Sequence, residues 1–431
     1  MRAVVVGLGY VGVPLAAVLA SKGHSVIGLD IDADRVALIN KGLNPLEGDE
    51  PGLEALVAKG VAKGRLTATL DPAVVGTARA VFVCVETPVD AITKDPELKA
   101  LKSALGTVGR NLRRGTLVVV ESTLAPTTME RVVRPALERS SGLKASKGFY
   151  LAHAPERVTP GKLLHNLLLL PRIIGGPDEK TRTMTSKVYA RFVKGELLES
   201  TWVDAEIAKT AENAYQDVQI AFANELALIC EQFGADVHEV RRLVNSCPGR
   251  TVLLPGTGVG GACIPKDPWL LMTNLAPMKV YLLPTAREVN EFMPVRTAQL
   301  VVEALRASGR RVKGARVAAL GFAYRGNTGD TRNTPAIPFV RALRKLGADV
   351  FLHDPYARGE RGYTVERDLE AVVKGADCLA ILADHDAYRE LDFARIGKLM
   401  RTKAVVDGRD LVPGSIVDEG FVLRALGKGQ Y

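Results

Sequence analysis

The chain is poor in cysteine, histidine and aromatic side chains, and each shortage closes off a class of protein. Its five cysteines (Cys84, Cys230, Cys247, Cys263, Cys378) are odd in number and scattered through 431 residues. That spacing excludes a disulfide framework and a CxxC metal site and suits a reducing compartment. The six histidines form no HxxxH or Cys/His cluster, so no metal is expected. Aromatic residues make up only 5% of the chain, and the basic excess (57 Lys and Arg against 48 Asp and Glu, net +9) is spread out with acids in between. A nucleic-acid surface would instead concentrate its basic residues among stacking aromatics. Long apolar runs are missing too. The run 167–170 is far too short to cross a bilayer, and the signal-like opening is broken by Gly7, Gly9, Gly12 and Pro14. The expectation is a cytoplasmic protein with no nucleic-acid and no membrane partner, its charge either a solvated surface or a match for an anionic small substrate.

What is present is a globular composition, 47% apolar and 24% charged, in a chain long enough for two or three domains. A β-branched strand at Arg2–Val6 runs straight into Gly7-Leu8-Gly9-Tyr10-Val11-Gly12 and a helical stretch that Gly23 closes; a second strand, Ser25–Leu29, ends at Asp30. A strand, a GxGxxG, a helix and an acid about twenty residues on form the dinucleotide-binding pattern. The first glycine permits the turn, the second lets backbone approach a pyrophosphate, and the third allows helix and strand to pack closely. Asp30 would accept from the adenosine ribose and so favours NAD; Arg35 nearby weakens that preference, because a guanidinium can hold a 2′-phosphate.

Alternation continues with buried strands at 80–85 and Leu117–Val120, ending in Glu86-Thr87-Pro88 and Glu121-Ser122-Thr123. Ligands of an open parallel sheet sit beyond the carboxyl ends of its strands, which is where Thr87 and Thr123 fall; capping a helix or turn is an equally good use for either. Tyr150–His153 leads to Ala154-Pro155-Glu156, an odd place for a solvated charge and a good one for an acid/base group.

The middle is different. Residues 203–233 contain no glycine or proline and predict one long helix, with Lys209 and Asn213 a turn apart on one face. A short helix at 237–244 leads to a loop rich in glycine and proline that carries Cys263-Ile264-Pro265-Lys266-Asp267. A lysine beside a cysteine can make the thiol a better nucleophile. A second long helix is expected over 285–308, kinked or broken by Pro294, and βαβ alternation then returns at Arg316–Leu320, Asp349–His353, 378–382 and 404–406 without a second GxGxxG.

Taken together, the chain resembles the UDP-glucose/GDP-mannose dehydrogenase family over nearly its whole length. The resemblance rests on Gly7-Leu8-Gly9-Tyr10-Val11-Gly12, Glu121-Ser122-Thr123, Pro155-Glu156, Lys209 with Asn213, Gly260-Gly261-Ala262-Cys263-Ile264-Pro265-Lys266-Asp267, and Gly329-Asp330-Thr331-Arg332. It implies an α/β architecture: two Rossmann-like doubly wound domains joined by a long central helix and a helical dimerisation region. The expected divisions are an NAD-binding domain at 1–198, a central helical domain with the cysteine loop at 199–308, and a UDP-sugar-binding domain at 309–431. It also implies a homodimer and NAD-dependent oxidation of a sugar's 6-hydroxyl to the uronate.

By the same resemblance Cys263 would carry a thiohemiacetal and then a thioester, and Lys209, Asn213 and Asp267 would steady the developing alkoxide. Glu156 would assist hydrolysis with Thr123. Gly7, Gly9, Tyr10, Val11, Gly12, Asp30, Arg35, Thr87, Thr123, Lys266 and Arg332 would meet the cofactor. The UDP-sugar would lie against Glu156, Arg157, Val158, Lys209 and Asn213, with Arg250, Leu253, Gly256, Gly260, Tyr324, Arg325 and Arg409.

Where the UDP-glucose enzymes follow Pro-Glu with Phe-Leu-Arg-Glu, this chain has Arg157-Val158-Thr159-Pro160-Gly161, so Pro160 occupies the position of the second glutamate. Segment 155–161, Asp267-Pro268-Trp269 and the sequence around Asn213 are more similar to the acetamido-sugar branch. Thr128 stands where the family usually has glycine. The expected substrate is therefore a UDP-N-acetylhexosamine, first UDP-N-acetylmannosamine; UDP-glucose, GDP-mannose and a non-catalytic nucleotide-sugar binding protein are the alternatives.

Overall fold

A computed structural model describes residues 1–46, 50–159 and 161–429, so Pro160 lies outside the described residues. The chain divides into two compact units, Met1–Glu212 with Trp269–Pro277, and Asn213–Pro268 with Met278–Tyr431.

The first unit is built on β1 (Arg2–Val6), β2 (Ser25–Leu29), β3 (Leu66–Thr69), β4 (Ala80–Val83), β5 (Leu117–Val120), β6 (Tyr150–His153), β7 (Arg172–Gly175) and β8 (Leu197–Ser200). Among the described residues they form one sheet in the order β3-β2-β1-β4-β5-β6-β7-β8. Every pairing is parallel except β6 with β7, which meet antiparallel at His153 and Gly175. The central strands are apolar on both faces: Ala3, Val5, Ala80 and Phe82 pack into one cluster, Val4, Val6, Val81 and Val83 into the other. A parallel sheet covered by helices on both sides needs this composition. The flanking helices include α1 (Gly12–Ser21), α2 (Ala33–Asn40) and α3 (Glu179–Tyr189).

Helix α4 (Trp202–Phe233) is uninterrupted, as its sequence predicts; its residues count with the first unit through Glu212 and with the second from Asn213. It leaves Tyr215, Phe222 and Phe233 largely exposed, at 65%, 56% and 82%.

Helix α5 (Asp267–Leu271) begins at the end of the cysteine loop, its residues counting with the first unit from Trp269; α6 (Leu282–Ala307), in the second unit, follows. The helix predicted over 285–308 thus starts earlier and does not break at Pro294. That proline is buried, and its ring closes on Gly258, where a Cβ would meet it at 3.0 Å. Packing gained there offsets the one helical hydrogen bond that proline cannot make. The second sheet comprises β9 (Arg316–Leu320), β10 (Asp349–His353), β11 (Val365–Glu366), β12 (Cys378–Ile381), β13 (Ala404–Asp407) and β14 (Val422–Ala425), in the order β11-β10-β9-β12-β13-β14. Helix α7 (Ala336–Lys345) packs its apolar stripe onto one face. Both sheets share the dinucleotide-fold strand order, so both units are doubly wound α/β. Among the described residues no helix is long and apolar enough to cross a membrane.

Candidate active site

In the first unit the glycine turn meets each demand of a pyrophosphate loop. Gly7 has a φ of +91°, a Cβ on Gly12 would lie 1.8 Å from the Gly7 carbonyl, and a Cβ on Gly9 would meet nothing within 4 Å. Gly7 turns, Gly12 packs, and Gly9 leaves backbone bare toward open space. Tyr10 and Val11 complete the turn and are partly buried. Asp30 is buried at the end of β2, and its carboxylate accepts from Leu8 N–H at 2.6 Å and Asp32 N–H at 3.0 Å. Each oxygen keeps a lone pair for a ribose hydroxyl. These residues fit a dinucleotide. Arg35 lies on the first turn of α2 and pairs with Asp32 at 3.4 Å. Thr87 is buried and donates to the Thr123 carbonyl at 2.6 Å, tying together the two strand-end segments.

Glu156 follows β6 and is buried. Burial pushes its carboxyl up to about 7, against the pull of Lys209, of the Val158 and Arg157 N–H groups and of the Arg157 charge. Lys209 is itself buried on α4, an unusual place for an ammonium without a function. Arg157 bonds Glu212 through two nitrogens and donates to the Pro171 carbonyl at 2.8 Å; Val158 is half-buried.

In the second unit Asn213 donates to Asp267 Oδ2 at 2.5 Å, and Lys266 Nζ lies 3.1 Å from Asp267 Oδ1. The cysteine loop folds on itself, because the Cys263 carbonyl accepts from Lys266 N–H at 3.0 Å and Asp267 N–H at 2.8 Å. Cys263 is exposed, with a buried carboxylate at the start of the helix that follows it. Tyr324 lies over the glycines before it: a Cβ on Gly260 would meet Tyr324 Cβ at 2.3 Å, and one on Gly261 its ring at 3.0 Å. Gly261 N–H donates to the Arg332 carbonyl at 2.7 Å, and Arg332 grips Asp330 through two nitrogens. Arg409 runs past Gly256, whose Cβ would lie 2.3 Å from its guanidinium, and pairs with Asp384 at 2.9 Å. The second unit therefore gathers Asn213, Lys266, Asp267 and Cys263 in one cluster, Gly260, Tyr324 and Arg332 beside it, and Gly256 with Arg409 in another. Leu253 is half-buried on the approach to Gly256; Arg325 and Arg250 are exposed, and the Arg250 guanidinium donates to the Pro248 carbonyl two residues back at 3.2 Å.

Family models for the UDP-glucose/GDP-mannose dehydrogenase family match three stretches: the NAD binding domain at residues 1–193, the central domain at 203–292 and the UDP binding domain at 318–413. A UDP-N-acetyl-D-mannosamine dehydrogenase of Pyrococcus horikoshii is 40% identical over 429 residues, covering 100% of both chains. The chain belongs to the UDP-glucose/GDP-mannose dehydrogenase family. As a member it is an NAD-dependent dehydrogenase of nucleotide sugars. Solved structures agree: that of the Pyrococcus horikoshii enzyme superposes with a TM-score of 0.94 over 100% of both chains. An NDP-N-acetyl-D-galactosaminuronic acid dehydrogenase of Methanosarcina mazei (36% identical, 99% and 95% covered) gives 0.88, and a UDP-glucose dehydrogenase of Pyrobaculum islandicum (31%, 95% and 94%) gives 0.85.

Sequence reasoning missed the groups that hold these residues in place. Arg172, Tyr189, Glu206 and Asn224 are all buried. One visible signal existed, a charge opening the otherwise apolar strand Arg-Ile-Ile-Gly.

Proposed function

We propose that this enzyme oxidises the 6-hydroxyl of a UDP-N-acetylhexosamine, UDP-N-acetylmannosamine first, to the carboxylate through a thioester on Cys263. The end-to-end 40% identity to the Pyrococcus horikoshii enzyme carries the substrate assignment. NAD+, held by the 7–12 loop, Asp30, Arg35 and Thr87 of the first domain (1–198) with Lys266 and Arg332 of the later ones, would accept a hydride from C6 in each oxidation. The Cys263 thiolate adds to the aldehyde carbon of the half-oxidised sugar, which keeps that aldehyde on the enzyme until the second oxidation leaves a thioester. Lys209 and Asn213, with a water on Asp267, stabilise the oxyanion at C6. Glu156, with Thr123 orienting the water, takes a proton as water attacks the thioester; the C–S bond breaks and Cys263 leaves as thiolate. One primary alcohol, two NAD+ and one water thus give one carboxylate, two NADH and three protons.

In the central (199–308) and C-terminal (309–431) domains, Arg250, Leu253, Gly256 and Gly260, then Tyr324, Arg325 and Arg409, would hold the nucleotide sugar with Arg157 and Val158. The exposed Tyr215, Phe222 and Phe233 on α4 support a homodimer through that helix. Cytoplasmic residence accords with five scattered cysteines, odd in number. UDP-glucose is the second reading, favoured by the likeness to the Pyrobaculum islandicum enzyme. The test is NADH counted per sugar consumed, with UDP-N-acetylmannosamine, UDP-N-acetylglucosamine and UDP-glucose in turn. Two NADH per acetamido sugar is expected. One would remove Cys263 from its role, and a preference for UDP-glucose would overturn the substrate.

A further inference from the structure

Behind Glu156 lies a buried cluster in which one cation faces two carboxylates. Arg172, at the start of β7, Glu121, at the end of β5, and Tyr189, at the end of α3, are at most 3% exposed. Arg172 Nη2 bonds Glu121 and also donates to the Ala154 carbonyl at 3.0 Å. Tyr189 donates its hydroxyl to the other Glu121 oxygen, and the Arg172 guanidinium lies over the Tyr189 ring at 5.2 Å. Glu156 is left out. Its Oε1 stands 3.8 Å from Arg172 Nη1, beyond hydrogen-bond reach, and among the described residues has no hydrogen-bond partner. Its backbone N–H donates to the Glu121 carbonyl at 3.3 Å, so the two acids are held side by side.

A buried cation can balance one buried anion, and a second carboxylate in the same site is the one that takes a proton. Glu121 has the better claim, with a direct guanidinium bond and a tyrosine hydroxyl. We propose that Glu121 is a charge-balancing positioning residue: by occupying Arg172 it leaves Glu156 able to take and release a proton during thioester hydrolysis. The inference rests on the role given to Glu156 above.

The charged and titratable groups around Glu156 are Lys209 on α4, Arg157 on its own segment, Arg172 on β7, Glu121 on β5, Tyr189 on α3 and Cys84 after β4. Burial raises the last two, so the Cys84 thiol and the Tyr189 hydroxyl stay neutral across the working range. Arg157 is engaged by Glu212. Burial, the largest cause, outweighs the pull of Lys209 and Arg157 and displaces Glu156 upward to about 7, in keeping with an acid that shares no hydrogen bond with Arg172.

The experiment is the pH dependence of thioester hydrolysis, measured in single turnovers with NAD+ and UDP-N-acetylmannosamine. In Glu121→Gln, Arg172 loses its anion and turns to Glu156, so the acid limb should move down by about one pH unit or more. Tyr189→Phe, which adds no charge and keeps the ring, weakens the Glu121 anion and should move the limb the same way by less. It decides the matter if the first variant does not fold. A slower rate with an unmoved limb, or a limb moved upward, would overturn the inference, because scaffolding alone changes rate and not the limb. Glu156→Gln separates the two layers. It should abolish the limb and accumulate the covalent adduct by mass; a wild-type limb there would overturn the role of Glu156 itself, and the charge balance with it.

Discussion

Glu206 holds Thr127 in the left-handed region: its carboxylate accepts the Thr127 and Met129 N–H groups at 2.7 and 2.6 Å while Thr127 keeps a φ of +71°. A β-branched residue there is strained by on the order of 1–3 kcal/mol. The neighbouring Thr128, where the family usually has glycine, has a φ of −64° that any residue adopts. The strain therefore falls one residue earlier than the substitution suggested. Glu206 sits one turn before Lys209 on α4, so the loop after Thr123 is pinned to the helix that carries the ammonium.

Glu206→Ala should cost on the order of 3 kcal/mol in urea unfolding, because a buried and a part-buried N–H group lose their acceptor. Thr127→Gly in that background should recover part of the loss. Burial holds the Glu206 carboxyl at about 7, above its ordinary 4.5. The folded chain thus binds that proton more tightly than the unfolded one. Its contribution to stability is full below pH 4.5 and is lost as pH rises through about 7.

The nucleotide loop offers two glycines with opposite expected phenotypes. Gly9→Ala meets no atom, so the protein should fold with an unchanged melting temperature yet bind NAD+ at least about tenfold more weakly, since the methyl fills the space a pyrophosphate would enter. Gly12→Ala drives a methyl into the Gly7 carbonyl and should reduce the yield of folded protein before any ligand is added. Thermal melting and a fluorescence titration with NAD+ separate the two.

Above about pH 7 Glu156 is a carboxylate and can act as a base; below, its proton is in place and hydrolysis slows. Hydrolysis of the Cys263 thioester should therefore rise as pH rises through about 7 and level off beyond it. Formation of the adduct should not share that limb. Quenched-flow mass measurement of the adduct against pH checks both.

Asp354, at the end of β10, accepts from five donors: the N–H groups of Phe322, Ala323, Tyr356 and Ala357, and His385 Nε2. Burial pushes its carboxyl up, but His385 and the N–H donors outweigh burial and hold it at about 2, below the ordinary 3.8. That difference is worth about 2 kcal/mol, present above pH 3.8 and lost as pH falls through about 2. Asp354→Asn turns an acceptor into a donor facing donors. It should lower the melting temperature of the second unit and weaken nucleotide-sugar binding, because the 322–323 N–H groups it anchors precede Tyr324.

Local chemistry made half of this site legible. The glycine loop, α4 and the cysteine loop are each continuous in sequence and announce themselves by spacing or by glycine and proline. Other parts escape for a physical reason. The strand Leu197–Ser200 is mostly exposed and the strand Val365–Glu366 is two residues long, so neither carries a periodic signal. Arg172 reaches Glu121 across 51 residues and Asn224 reaches Asn290 across 66; only folding makes them neighbours. Pro294 reads as a helix breaker until Gly258 supplies a surface for its ring.

One buried thread in the second unit has a direction. The Gly256 N–H donates to Asn224 Oδ1 at 2.9 Å, Asn224 Nδ2 to Asn290 Oδ1 at 2.8 Å, and Asn290 Nδ2 to Asp217 Oδ1 at 2.8 Å, where Arg287 also ends at 2.7 Å. Neither amide can flip without setting donor against donor at one end and acceptor against acceptor at the other, so orientation at one site fixes orientation at the next. Asn224→Asp or Asn290→Asp, nearly the same in shape, would turn one donor into an acceptor facing an acceptor. The loop at Gly256 is thereby held by two amide groups that carry a direction as well as a bond.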